Sequence, residues 1–113
     1  MTIELSCIEL ESADSSPFFA VYLQAGDRKT KVAEINSSCN GITREEFPAY
    51  EIPDQAIHAI GGWRAGAGDY FYVVAEEGKI VVYQGEIDEM QETTGYGYQL
   101  IATYDGNKFN LIK

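Results

Sequence analysis

Apolar and polar residues alternate through much of the N-terminal third with the two-residue period of half-buried β-strands. Residues 3–7 follow this period, and residues 18–24 are apolar on both faces, which is typical of a strand in the centre of a sheet. Gly26 and Asp27 then mark a turn. Residues 29–35 are therefore predicted to return as the second strand of a hairpin.

Two more hairpins are predicted in the C-terminal half. Four runs rich in β-branched and aromatic residues form them: 69–76, 79–84, 98–104 and 108–112. Glu77-Gly78 joins the first pair, and Asp105-Gly106-Asn107 joins the second. The last run, 108–112, is a candidate edge strand, through which two copies of the chain could pair.

One short helix is predicted at about residues 54–60, because apolar residues from Ile52 to Trp63 recur at helical spacing. Gly61 and Gly62 would end this helix. Residues 36–53, which precede it, form the least regular stretch and are interpreted as a long connection within the domain. The patterns together predict a strand-dominated α+β fold: a mostly antiparallel curved sheet or small open barrel of about six or seven strands with one helix.

Length and charge narrow the function classes. The chain has 113 residues, which suits a single domain over residues 1–113, and 18 acidic against 8 basic side chains give a net charge of −10. Such a charge argues against nucleic acid and anionic membranes as partners. The longest apolar run, 70–75, is far shorter than the roughly 20 residues of a membrane helix. The N-terminus lacks a signal-peptide pattern, which predicts a cytoplasmic protein.

The two cysteines, Cys7 and Cys39, are interpreted as free thiols, with one buried in a strand. A disulfide between them is the alternative in an oxidising compartment. Structural zinc is disfavoured because two distant cysteines leave the site short of ligands.

The glycine-rich stretch 61–69 does not match a phosphate-binding loop, which runs from a strand through glycines into a helix. Here a predicted helix precedes the glycines and a strand follows them. The stretch is interpreted as a helix stop and wide turn. The alternative is a loop that presents Trp63 and Arg64 to a partner, since this pair of residue types is enriched at interface hot spots.

Few residues offer catalytic chemistry. His58 is the one histidine and is expected to face solvent on the predicted helix. It could act as the base for Cys39 as the nucleophile. A Ser-His-Asp triad would need the same imidazole. The acidic run 86–92 is interpreted as a solvated connection. We therefore predict no enzyme activity, no cofactor and no metal.

The tyrosines indicate a binding function more strongly than any of these residues indicates catalysis. Tyr70 and Tyr72 share one strand parity, and Tyr98 and Tyr104 share another, so paired hairpins would place several rings on one face. Tyrosine combines a large apolar area with a polar tip, which suits binding surfaces. The candidate binding residues are Trp63, Arg64, Tyr70, Tyr72, Tyr83, Tyr98 and Tyr104.

These observations favour a non-catalytic binding module that contacts a basic protein partner through an acidic, tyrosine-bearing sheet face. The module is expected to be a monomer, or a homodimer through its edge strand. The alternative is a small-molecule-binding β-barrel with an aromatic-lined pocket that includes Phe18, Phe19 and Trp63. A filled core with the tyrosines outside would favour the first hypothesis, and a closed sheet around a cavity would favour the second.

Overall fold

The computed structural model describes residues 2–10, 18–36, 38–64, 67–88 and 97–112. These residues form two antiparallel sheets, of three and six strands, and neither closes into a barrel. The prediction of a strand-dominated, mostly antiparallel fold is thus confirmed, with open sheets and not a closed barrel. None of the helices in these ranges is long and apolar enough to span a membrane.

The strands are numbered in chain order. The three-stranded sheet has the order β1-β2-β3, with bounds Ile3–Glu9, Phe19–Ala25 and Arg28–Ile35. The six-stranded sheet follows chain order from β4 to β9, with bounds Asn40–Gly41, His58–Arg64, Ala67–Glu76, Lys79–Asp88, Gln99–Tyr104 and Phe109–Leu111.

Each predicted hairpin is present. β2 is the central strand of its sheet, as its apolar residues on both faces predicted, and it turns into β3 through Gly26 at φ 65°. Glu77 and Gly78 join β6 to β7 with φ angles of 49° and 79°, the left-handed pair that a two-residue hairpin turn requires. β9 is an edge of the larger sheet, as the sequence predicted for residues 108–112.

The prediction of a helix at residues 54–60 is wrong. Ile57 donates its N–H to the carbonyl oxygen of Val73 at 2.7 Å, and the chain continues directly into β5. The helical spacing was misleading because its apolar residues serve two faces of a sheet: Ala59 and Ile60 are both buried, but they belong to different hydrophobic clusters.

The helix that the described residues do contain is a 3₁₀ helix at Arg44–Tyr50, within the stretch interpreted as a connection. The Glu46 carboxylate accepts hydrogen bonds from the N–H and the hydroxyl of Thr43, at 3.0 and 2.8 Å, at the start of this helix. These bonds hold the pKa of Glu46 below its ordinary value. Phe47 is 2% exposed and anchors the helix to the larger sheet.

Two hydrophobic clusters lie on opposite faces of the larger sheet. Both sheets contribute to the first, the inter-sheet core, whose members include Leu5, Val21, Leu23, Phe71, Val73 and Val82. The second cluster is covered by the 3₁₀ helix and its flanking residues, with Ile42, Phe47, Ile52 and Ala56 packed on residues of β5, β6 and β7. The face with this second cluster carries five tyrosines of the described residues: Tyr50, Tyr70, Tyr72, Tyr83 and Tyr98.

Two direct links join β1 to the larger sheet. Cys7 and Cys39 form a disulfide with a Cα–Cα distance of 6.4 Å, so the interpretation as free thiols is wrong. The backbone N–H of Leu5 donates to Nδ1 of His58 at 2.9 Å, so His58 is not the solvent-facing imidazole that the predicted helix implied. Packing of the two sheets brings these groups together, and no local pattern in the sequence indicates it.

Candidate functional site: the aromatic face

Among the described residues, five tyrosines and one tryptophan lie on the face of the larger sheet that points away from the inter-sheet core. We call this surface the aromatic face, and its rings are Tyr50, Trp63, Tyr70, Tyr72, Tyr83 and Tyr98. Trp63 is 39% exposed, while Tyr50, Tyr83 and Tyr98 are half-buried. The face therefore combines two buried rings, Tyr70 and Tyr72, with partly exposed rings that pack on them.

Tyr70 is the buried ring at one end of the aromatic face, and two glycines leave space for it. Its ring lies against Gly61 of the neighbouring strand and Gly68 of its own strand, where a Cβ would overlap the ring or come within 3 Å of it. Tyr70 is 1% exposed as a result. The glycine-rich stretch is thus not a helix stop, as interpreted from the sequence, but part of the β5–β6 hairpin that receives a flat ring.

Trp63 and Tyr50 pack on Tyr70. The Trp63 ring meets it edge to face, with centroids 6.1 Å apart, and the Tyr50 ring is tilted against it at 4.8 Å. The Trp63 backbone is fixed from the other side, because Ser38 Oγ accepts its N–H and donates to its carbonyl oxygen, both at 3.2 Å. Trp63 is therefore held at its backbone and on its ring.

Tyr72, Tyr83 and Tyr98 form the other end of the face. Tyr72 and Tyr83 are cross-strand partners whose rings stack at 5.0 Å, and Tyr98 meets Tyr72 edge to face at 4.8 Å. The Tyr98 hydroxyl donates to the carbonyl oxygen of Tyr50 at 2.8 Å. This bond ties the two ends of the face together through the end of the 3₁₀ helix.

Glu76 gives the face an anionic group. The Tyr83 hydroxyl lies 3.1 and 3.3 Å from its two carboxylate oxygens and donates to them. Burial raises the pKa of Tyr83, and the hydrogen bond and charge of Glu76 raise it further. Burial also raises the pKa of Tyr72, with smaller contributions from Tyr83 and Glu76. Both phenols thus keep their protons at neutral pH.

Exposed charged residues lie on both sheets. Glu51 ends the 3₁₀ helix, Glu76 and Glu77 lie at the β6–β7 turn, and all three are exposed. In contrast, β3 carries Arg28, Lys29 and Lys31, three of the eight basic residues, also exposed. The aromatic face therefore has exposed carboxylates at its margin, with Lys79 of β7 as the cross-strand partner of Glu76. The cations of β3 are matched by carboxylates of the same sheet, and Lys31 forms an ion pair with Glu34 at 2.7 Å.

Four of the five predicted tyrosines, together with Trp63, lie on this one face. Tyr104 does not: it is 5% exposed in the inter-sheet core, where it stacks on Phe109 at 4.5 Å. The side chain of Arg64 lies outside the part of the chain that the structure describes. Tyr50 was missed because the stretch that contains it was interpreted as an irregular connection.

A bulge in β8 explains why Tyr98 and Tyr104 separate despite their common parity. Val82 pairs with Ala102, but Tyr83 pairs with Leu100, so Ile101 is an extra residue. One extra residue reverses the face of everything beyond it. The sequence carries no glycine or proline at this point that would have marked the bulge.

The groups weighed for catalysis have other roles in the structure. The Cys39 sulfur is bonded to Cys7, and His58 accepts a backbone hydrogen bond, so the Cys39–His58 pair is not a nucleophile and base here. Within the described ranges, no three His, Cys, Asp or Glu side chains are grouped to hold a metal ion. Most of the acidic run 86–92 lies outside these ranges.

No protein-family model matches this chain, and neither a curated protein nor a solved structure shows significant similarity to it.

Proposed function

We propose that this chain is a non-catalytic binding module whose aromatic face contacts a basic surface of another protein. The observation that carries the proposal is the group formed by Tyr72, Tyr83 and Tyr98 with the Glu76 carboxylate. Tyr72 is only 9% exposed, so the half-buried rings of Tyr83 and Tyr98, which pack on it, supply the contact area, at a low entropy cost. The exposed carboxylates at the margin select for cations.

The contact is expected to centre on a lysine or arginine side chain of the partner. Such a cation could lie over the exposed part of the Tyr83 or Tyr98 ring while it pairs with Glu76. Tyr83 already donates to Glu76, which fixes the carboxylate beside the rings before binding. Pre-organisation of this kind lowers the entropy lost on association.

The small-molecule alternative has less support. Its pocket required a closed sheet, but the two sheets are open, and apolar side chains of both pack against each other between them. Trp63 and the tyrosines that were to line the pocket lie on the outer face instead, where Tyr70 and Tyr72 are buried and Tyr83 and Tyr98 are half-buried. Tyr104 is the exception, since it lies in the inter-sheet core. The discriminating observation set out from the sequence thus favours a partner.

Capture from native lysate, at low and at high salt, tests the proposal when it is combined with two tyrosine variants. Tyr83→Ser removes a ring from the aromatic face, and Tyr22→Ser removes a half-buried tyrosine of β2 in the smaller sheet as a matched control. We expect one basic protein that binds the wild type at low salt, is released by high salt, and is lost in Tyr83→Ser alone. Equal capture by both variants, or capture unchanged by salt, would contradict the proposal.

A defined probe gives an independent check. An arginine-glycine peptide should shift the amide resonances of β6 and β7 around Tyr72 and Tyr83, and a glutamate-glycine peptide of the same length should not. Glu76→Gln should weaken the first interaction several-fold, because it removes the carboxylate but keeps the side-chain shape. Shifts confined to other strands would place the cation site elsewhere.

Cellular location and oligomeric state remain predictions. The N-terminal residues predicted a cytoplasmic protein, whereas a disulfide is typical of oxidising compartments. The thiol content of protein isolated under denaturing, alkylating conditions distinguishes the two.

Leu111 on the edge strand β9 is 54% exposed, so a homodimer through β9 is tested by sedimentation of the wild type against Leu111→Lys.

A further inference from the structure

We propose that the Cys7–Cys39 disulfide controls the Trp63 end of the aromatic face, so that reduction by a dithiol loosens Trp63 and weakens binding. The effect on binding rests on the proposed function. The effect on Trp63 does not, since it follows from contacts within the chain. Three consecutive contacts carry the inference from the disulfide to the rings.

The first contact is the disulfide itself. It fixes Cys39, which lies just before β4, to β1 of the other sheet. β4 is only two residues long, and it pairs with β5 through Asn40–Gly61 and Gly41–Ile60. So short an edge strand has little stability of its own. The disulfide is therefore the covalent cross-link that restrains residues 38–41, in addition to the β4–β5 pairing and the hydrogen bond from Ile42 N–H to the carbonyl oxygen of Ala59 at 2.9 Å.

The second contact runs from Ser38 to β5. Ser38 Oγ bonds with both the N–H and the carbonyl oxygen of Trp63, at 3.2 Å each. Gly62 approaches so closely that a Cβ there would overlap the carbonyl oxygen and Oγ of Ser38. Because Ser38 precedes Cys39 directly, the disulfide limits how far Ser38 can move from Trp63.

The third contact is the ring packing already described. Trp63 lies against Tyr70, and Tyr70 lies against Tyr50, with centroid distances of 6.1 and 4.8 Å. Trp63 is 39% exposed, so its ring has room to move outward once its backbone is released. Loss of the Ser38 bonds is thus expected to reach the partner-facing surface.

The redox step is thiol–disulfide exchange with a dithiol. A thiolate of the dithiol attacks one sulfur, and the other sulfur leaves as a thiolate and takes a proton. The second thiol of the reagent then displaces the remaining protein sulfur. Cys7 and Cys39 gain two electrons and two protons, and the reagent becomes a cyclic disulfide. Both cysteines are half-buried rather than sealed, which gives the reagent access.

Fluorescence of the single tryptophan provides the test without any partner. Full-length protein is treated with dithiothreitol, and reduction is verified by thiol counting. We expect the acrylamide quenching constant of Trp63 to rise by roughly half or more, while far-ultraviolet circular dichroism keeps its β-sheet form. Complete reduction with unchanged quenching would overturn the proposal and leave the proposed function intact.

Two serine variants decide the outcome if reduction unfolds the protein. In the oxidised state, Ser38→Ala removes both Trp63 bonds while the disulfide stays intact, so it should raise the quenching constant by itself. Ser6→Ala makes the same chemical change beside Cys7, where the buried hydroxyl has no hydrogen-bond partner among the described residues. Ser6→Ala should leave quenching unchanged. An equal response of the two variants would rule out the Ser38 link.

Discussion

The ring of Tyr70 lies against Gly61 of the neighbouring strand, at a point where a Cβ would overlap it. A Cβ on Gly61 would overlap Cδ1 of Tyr70 and lie 2.8 Å from the carbonyl oxygen of Asp69. Since Trp63 and Tyr50 both pack on the buried ring of Tyr70, the contact with Gly61 positions one end of the aromatic face.

Gly61→Ala is therefore expected to destabilise the protein by about 1–3 kcal/mol, because the backbone of β5 or β6 must shift to admit a methyl group. Gly41→Ala is the matched control, since a Cβ there meets nothing within 4 Å, and it should change stability by no more than about 0.5 kcal/mol. Urea unfolding monitored by fluorescence measures both. Equal stability of the two variants would show that Tyr70 can move away at little cost.

The link between His58 and Leu5 leads to a second prediction. Leu5 is 2% exposed, and its N–H donates to Nδ1 of His58. His58→Ala leaves this buried donor without its acceptor, which should cost about 1–3 kcal/mol in the free energy of unfolding. His58→Asn offers an amide oxygen near the position of Nδ1 and should recover part of the loss. The measurement is chemical denaturation of both variants beside the wild type.

If His58→Asn were no more stable than His58→Ala, the packing of the imidazole rather than its hydrogen bond would account for the loss. Hydrogen exchange at the Leu5 amide separates these two explanations. Its protection should fall in His58→Ala and persist in His58→Asn.

The hairpins could be predicted from the sequence because their signals are local. Glu77-Gly78 and Gly106 carry the turn chemistry within two or three residues of the strands that they join, and the structure places turns at both points. The shared face of Tyr70 and Tyr72 was predictable for the same reason, since residues two apart on one regular strand point the same way.

Features that depend on pairing between distant segments could not be predicted. The bulge at Ile101, which separates Tyr98 from Tyr104, arises only where β8 meets β7. The disulfide and the Leu5–His58 bond join residues that come together when the two sheets pack. One local signal was available and unused: Thr43 and Glu46 stand three residues apart, the spacing of a capping box, at the start of the 3₁₀ helix.

The β6–β7 turn offers a stabilising substitution. Glu77 has φ 49°, in the left-handed region that a glutamate side chain disfavours. Glu77→Asn supplies a residue that tolerates this conformation and completes the Asn-Gly pair preferred in such turns, so we expect a gain of roughly 0.5–1 kcal/mol in the free energy of unfolding. Thermal unfolding measures it.

Glu45→Asn is the control for charge, because it removes an exposed carboxylate from the first turn of the 3₁₀ helix, where no left-handed residue is needed. It should give no gain. A similar gain in both variants would indicate relief of charge repulsion rather than relief of backbone strain.

The β8–β9 turn gives a prediction for the pH dependence of stability. Oδ1 of Asp105 accepts the N–H groups of Asn107 and Lys108 at 2.9 and 3.0 Å. These backbone bonds, that from Lys108 first, hold the pKa of Asp105 below the ordinary aspartate value of 3.8. A carboxylate whose pKa is lowered by folding stabilises the folded state above that ordinary value, and it loses this contribution as the pH falls through the lower, folded-state pKa.

Asp105→Asn keeps an acceptor oxygen in the turn but removes the charge. The wild type should therefore melt at a higher temperature than Asp105→Asn near neutral pH, and the difference should shrink as the pH falls below 3.8. Asp105→Ala, which lacks the acceptor altogether, should melt below Asp105→Asn at every pH, because the two amide donors then lose their side-chain partner. Thermal melts across an acid series check both statements. A difference between the wild type and Asp105→Asn that does not change with pH would mean that geometry, and not ionisation, sets the role of this side chain.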